Sequence, residues 1–155
     1  MASVLVIGVA TADFVFGVDE MPTTPEKYRA NDATIVGGGC GANAAVAVAR
    51  LGGQAWLGAR LGDDPIGDLI MAGLTDEGIS TDFIDRQVSA KSAFSSIYLD
   101  LRGDRQIMNF RGSGLAQSAD WLDDVPLVDA ILADTRWQPG TAKAVDLARR
   151  RDIAC

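Results

Sequence analysis

Two textures alternate along this chain. Val4-Leu5-Val6-Ile7-Gly8-Val9, Gln54-Ala55-Trp56-Leu57-Gly58-Ala59 and Val128-Asp129-Ala130-Ile131-Leu132-Ala133 are largely apolar runs. Runs of that kind and length mark strands covered on both faces, as in a parallel sheet. Ala93–Asp100 and Arg105–Phe110 instead alternate apolar and polar residues, and Leu101-Arg102-Gly103-Asp104 joins them into a predicted hairpin. From Phe14 to Val36 similar alternation flanks the loop Met21-Pro22-Thr23-Thr24-Pro25. That segment reads as an excursion from the parallel core, pairing with the hairpin into a small separate sheet.

Helical patterns fill the intervals. Ala44–Leu51 is an Ala/Val/Leu helix closed by Gly52-Gly53. Asp64 and Pro65 supply an N-cap and a first-turn proline for a helix Pro65–Glu77, with Ile66, Leu69, Ile70, Gly73 and Leu74 on one face. Thr81-Asp82-Phe83-Ile84 starts an edge element, and Asp120-Trp121-Leu122 opens a short helix. Pro139–Arg150 predicts an amphipathic helix with Ala142, Val145, Leu147 and Ala148 inward. Ile153-Ala154-Cys155 then begins another strand, and the reading favoured here is that the chain is the N-terminal part of a longer protein. Strands and helices in this order define an α/β protein.

The stretch with the most chemistry is Gly37-Gly38-Gly39-Cys40-Gly41-Ala42-Asn43. It is expected as a loop between the strand Ala33–Val36 and a helix N-terminus, presenting bare backbone amides to a cleft. Such a loop suits a polyol or an anion. Asn43 adds a side chain that both donates and accepts hydrogen bonds. Asp13 follows the first strand at the edge where open α/β sheets bind ligands, although a turn or capping aspartate is the ordinary reading.

Composition narrows the chemistry. The 155 residues contain no histidine, which removes His-based triads, histidine bases and His-containing zinc sites. Cys40 and Cys155 are too few for a thiolate metal site or a disulfide framework. A net charge of −7 without a basic block argues against nucleic acid and anionic membranes. Arg149-Arg150-Arg151 closes a helix, where it complements the helix dipole. Met1-Ala2-Ser3 runs straight into a strand with no signal-peptide pattern, and no apolar run is of membrane-spanning length, so a cytoplasmic protein is expected.

The spacing Gly38-Gly39-x-Gly41-x-Asn43-x-Ala45, then Gly52, then Gly62, followed by Gly62-Asp63-Asp64-x-x-Gly67, resembles the first signature of the PfkB/ribokinase-like carbohydrate kinases. A dinucleotide fingerprint fits less well, because its glycines should directly follow the first strand, where Thr11-Ala12-Asp13 stands. The resemblance covers essentially the whole chain. It implies a three-layer ribokinase-like core (1–13, 37–91 and 112–155, incomplete at its C-terminus) under a β lid (14–36 and 92–111) that also forms a homodimer contact. It implies that Asp13 and Asn43 hydrogen-bond sugar hydroxyls against the Gly38-Gly39 backbone. ATP and Mg2+ are implied too, with the base in a C-terminal Gly-Ala-Gly-Asp motif that these residues lack. The isolated chain is therefore expected to be inactive. A non-catalytic sugar-binding or regulatory module on the same fold is the alternative.

Which sugar is a finer matter. Glu26-Lys27-Tyr28, Ile107-Met108-Asn109 and Leu132-Ala133-Asp134-Thr135-Arg136-Trp137 are similar to the sulfofructose kinase branch, in which Lys, Asn and Arg hold a sulfonate. That resemblance puts Lys27, Asn109 and Arg136 around an anionic tail, with fructose 6-phosphate and neutral ketoses as competitors. Gly41-Ala42-Asn43 departs from that branch and has the ribokinase-like form. Each residue also has an ordinary reading: a solvated lysine, an outward edge-strand amide, and an arginine stacked on Trp137.

Overall fold

The computed structural model describes residues 1–155. β1 (Ser3–Ile7), β4 (Gln54–Gly62), β5 (Ile84–Gln87) and β8 (Ala130–Ala133) form a parallel sheet in the order β5-β4-β1-β8. β1 pairs with β4 from Ser3↔Gln54 to Ile7↔Gly58 and with β8 from Val4↔Ala130 to Ile7↔Ala133. Being central, β1 is covered on both sides, which is why its apolar run is unbroken. Helices α1 (Cys40–Arg50) and α2 (Pro65–Asp76) enclose a core with Val6, Leu57, Leu61 and Ile70 on one face. On the other, Leu5, Ile7, Leu122, Ile131, Trp137 and Leu147 pack beneath the 3-10 turn Asp120–Asp124 and helix α3 (Gln138–Arg151).

The second sheet has the order β3-β2-β6-β7, from β3 (Asp32–Gly38), β2 (Thr11–Gly17), β6 (Phe94–Leu99) and β7 (Arg105–Phe110). The hairpin and the excursion do pair, through a parallel β2–β6 ladder flanked by two antiparallel ones. Ladder registers put residues in rows across the sheet, and residues in one row share a face. Val36, Asp13, Ser95 and Asn109 form one row, whereas Ile35, Phe14, Ser96 and Met108 form the next, on the opposite face.

Three local expectations need correcting. Gly37 and Gly38 are the last residues of β3 and α1 begins at Cys40, so the glycine loop shrinks to Gly39. Ladder pairing with Thr11 and Ala12 keeps those glycines extended where propensity argued for a loop. Asp13 lies inside β2, not at the end of β1. On α3, Ala142 and Val145 are exposed while Gly140 and Ala144 are buried, because Gly140 sits against the Trp137 ring and turns that stripe inward.

The hairpin β6–β7 and the cap of α2 form as read. Asp64 Oδ1 accepts the Gly67 amide at 2.8 Å, and Pro65 stands in the first turn, where its missing N–H costs nothing. Strand β8 is less buried than its composition suggested: Ile131 is enclosed but Leu132 is 44% exposed. Ala154 continues beside it in a parallel bridge to Ala130.

Candidate functional site

The two sheets meet at the C-terminal end of β1. Helix α1 lies on one face of the parallel sheet and α3, which follows β8, on the other, so this end is a topological switch point of the kind that binds ligands. Gly39 makes the connection there with φ of 95°, and a Cβ on it would collide with the Val9 carbonyl. A Cβ on Gly41 would press on Gly8. Glycine at these positions lets the start of α1 sit directly on the end of β1.

Asp13 is the diagonal neighbour of Gly38 across the β2–β3 ladder, where Gly38 pairs with Thr11 and Asp13 with Val36. Thr11 Oγ1 donates to Asp13 Oδ1 at 3.3 Å, and a Cβ at Gly38 would fall on both the Asp13 carboxylate and the Thr11 hydroxyl. Gly38 and Asn43, with Thr11, Gly37 and Ala42, line one end of a cavity of about 580 Å³ between α1, α2 and β3. Asn43 is exposed in the first turn of α1; its backbone N–H donates to the Gly39 carbonyl at 2.9 Å, and its side-chain amide makes no hydrogen bond within the chain. The far end of the cavity is closed by Arg50, whose guanidinium grips Glu77 through Nε at 2.8 Å and through Nη2.

Amides at the start of α1 already have partners. Asp134, just past β8, accepts the amides of Val9 at 2.8 Å and Gly41 at 3.1 Å on Oδ2, and that of Arg136 at 2.9 Å on Oδ1. The Ala42 amide is bonded to the Val9 carbonyl. The anion position expected at this helix N-terminus is thus occupied by the protein's own carboxylate. Asp134 is the residue that sequence reasoning missed. A strand-end aspartate was visible, but only the tertiary approach of β8 to α1 gives it this role.

The remaining expected residues fall in different places. Asn109 shares the Asp13 row and donates to Ser95 Oγ at 3.1 Å and to the Phe94 carbonyl at 3.4 Å. Arg136 is exposed beside Asp134, with its amide rather than its guanidinium held. Lys27 is exposed in the long loop between β2 and β3, beyond the end of those strands remote from Asp13. The cation stacked on Trp137 is Arg60, 4.6 Å from the ring centroid, with Nη1 donating to the Ala116 carbonyl at 2.5 Å. Burial lowers the Arg60 pKa from its usual value, while Asp134 and Asp85 act in the opposite sense.

A parallel α/β layer with a β flap at its ligand-binding edge, a glycine hinge and an adjoining carboxylate and amide describes the sugar-kinase class of α/β proteins. The comparisons agree. The chain belongs to the pfkB family of carbohydrate kinases, whose model matches residues 1–143. It is 32% identical to ribokinase from Bacillus subtilis over 85% of this chain and 46% of the relative, and 32% identical to mouse ribokinase over 98% and 49%. Fructokinase-1 from rice is 39% identical over 68% of this chain and 32% of the relative. Among solved structures, a ribokinase candidate from Agrobacterium tumefaciens superposes with a TM-score of 0.84 at 31% identity, covering 98% of this chain and 50% of that one. Arabidopsis thaliana ribokinase complexed with ribose and ATP shares the fold, with a TM-score of 0.82 at 24% identity, covering 99% and 52%. The chain spans about half the length of the curated relatives it matches.

Proposed function

We propose that this chain carries the sugar-holding half of an ATP-dependent carbohydrate kinase. Asp13, the Gly38-Gly39 backbone and Asn43 grip the sugar hydroxyls. The observation that carries this reading is the closeness of three groups: Gly38 and Asn43 line one end of the cavity, and the Asp13 carboxylate lies where a Cβ on Gly38 would fall. A carboxylate accepts from two neighbouring hydroxyls and an amide both donates and accepts, a pairing matched to a polyol. The absence of a Cβ at Gly38 lets a ring approach the backbone.

A neutral pentose or hexose is the substrate class that fits best. Asp134 fills the N-terminus of α1 and Asp13 adds a second carboxylate, so the floor of the site offers an anion nothing. The anionic reading, sulfofructose or fructose 6-phosphate, draws on Asn109 in the Asp13 row and on exposed Arg136 and Lys27. Calorimetric titration with ribose, fructose and fructose 6-phosphate separates the two. Binding of the neutral sugars is expected; exclusive binding of the phosphorylated one transfers the assignment to the cationic residues.

ATP and Mg2+ do not fit the groups at hand. At the starts of α1 and α2 the amides of Gly41 and Gly67 are already taken by Asp134 and Asp64, which leaves less of each helix N-terminus for a phosphate. Asp134 is spent on three amides, and no group of three carboxylate, Cys or His side chains is placed to hold a metal. The nucleotide and the base are assigned to parts of the enzyme outside these 155 residues. No ATP turnover is expected from the isolated chain, and measurable sugar phosphorylation by it overturns that division. Met108 and Phe110, exposed on the lid face opposite Asp13, are the surface assigned to contact with a second copy. No helix is long and apolar enough to cross a membrane.

A further inference from the structure

We propose that Asp64, acting through Ser92, is the positioning residue that sets the sugar-facing row of the lid. The inference rests on the sugar-binding reading above. Capping α2 needs one hydrogen bond from Asp64, the one that Gly67 donates. The carboxylate makes two more: Oδ1 accepts Ser92 Oγ at 2.6 Å and Oδ2 accepts the Ser92 amide at 2.9 Å. Ser92 is almost wholly buried and also receives the Gly62 amide on Oγ at 2.9 Å. One side chain thereby joins the end of β4, the start of α2 and the segment that enters β6.

The surroundings keep this junction rigid. A Cβ at Gly62 would fall on the Ala90 carbonyl, and one at Gly67 on the Gly62 carbonyl. Arg86 Nε donates to the Gly62 carbonyl at 2.9 Å, and its Nη2 reaches Asp68 at 2.8 Å. One residue before Ser92, Lys91 and Ser113 exchange amide hydrogen bonds at 2.8 and 3.0 Å, so both limbs of the β6–β7 hairpin are pinned at their root. Beyond it, Ser95 stands opposite Asp13 and accepts from Asn109. Two residues, Ala93 and Phe94, separate Ser92 from that row, too short a span for β6 to shift without breaking the Asp64–Ser92 contact.

Two variants of the 155-residue chain test the proposal. Ser92→Ala removes the hydroxyl and leaves the helix cap. Asp64→Asn keeps an oxygen for Gly67 and Ser92 Oγ but points an NH2 at the Ser92 amide. Hydrogen exchange in β6 and β7 is expected to quicken about tenfold in both, the loss of a charge-assisted hydrogen bond, with β1 and β4 essentially unchanged. NMR resonances of the Ser95 and Asn109 amides move while those of α2 beyond its first turn stay, and affinity for ribose or fructose falls about tenfold. Unchanged lid exchange, or an equal increase across both sheets, overturns the proposal and leaves Asp64 a helix cap. If the wild-type chain binds neither sugar, the sugar reading fails while the exchange experiment still decides the anchor. If Ser92→Ala does not fold, Asp64→Asn carries the same comparison.

Discussion

Asp134 Oδ2 accepts the Gly41 amide at 3.1 Å and the Val9 amide at 2.8 Å, so a side chain from the end of β8 seals the start of α1 against the end of β1. A Cβ on Gly8 would occupy the place of that carboxylate. The seal exchanges an anion site for a rigid joint, and it does so at the switch point of the sheet, beside the residues proposed to hold the sugar.

Removing the seal has two expected effects. Asp134→Ala leaves two part-buried amides without an acceptor and lowers stability by about 1–3 kcal/mol in urea titration. It also opens the helix N-terminus, so phosphate or sulfate raises the melting temperature of the variant more than that of the wild type. A variant as stable as the wild type and indifferent to both ions removes the seal.

Gly38 and Gly39 are expected to fail differently when replaced by alanine. At Gly38 the added carbon meets the Asp13 carboxylate and Thr11 hydroxyl, costing about 1–3 kcal/mol and abolishing sugar binding. At Gly39 it meets the Val9 carbonyl at a φ of 95°, where L-residues are also strained, so the loss of stability is larger. Thermal unfolding followed by circular dichroism ranks the two.

Asn43→Ala separates binding from folding. The side chain is exposed and unpartnered, so stability should stay within about 0.5 kcal/mol. Sugar affinity should drop about tenfold in calorimetry, the loss of a single well-placed hydrogen bond. Equal affinities in variant and wild type would take Asn43 out of the site.

The junction between α3 and the 3-10 turn gives a pH prediction. Hydrogen bonds from Lys143 at 2.8 Å and Arg150 at 2.5 Å, with the positive charge of both groups, lower the Asp123 pKa from 3.8 to about 2. A depressed carboxylate pKa stabilises the fold above the unfolded value, and the gain is lost as pH falls through the folded one. Asp123→Asn should therefore lower the melting temperature at pH 7, with the gap closing between about pH 4 and pH 2. A gap that persists unchanged at pH 2 assigns the effect to packing.

Residues whose role is local were legible before any coordinates. Asp64 before Pro65, Gly52-Gly53 after α1 and the turn between β6 and β7 depend on their immediate neighbours, and each reads correctly. The arginines of α3 are a mixed case. Their place near the helix C-terminus was plain, but Arg151 donates to the carbonyls of Val125 and Pro126, and Arg150 to Asp123, across more than twenty residues. The stacked pair on Trp137 was read as its sequence neighbour Arg136, whereas the sheet brings Arg60 there. Sequence adjacency is a poor guide to which cation meets which ring, because alternate strand residues face opposite ways.

The pattern of apolar runs, period-two strands and glycine spacing determined the α/β class, the small second sheet and the family of this chain, since those features follow from backbone propensity and from which faces must avoid water. Tertiary structure alone decided that Gly37 and Gly38 extend as a strand, that Asp13, Ser95 and Asn109 lie in one row, and that Asp134 closes a helix thought to be open. Each depends on hydrogen bonds between segments distant in sequence, as many as 125 positions for Val9 and Asp134, and no local preference encodes such a partner.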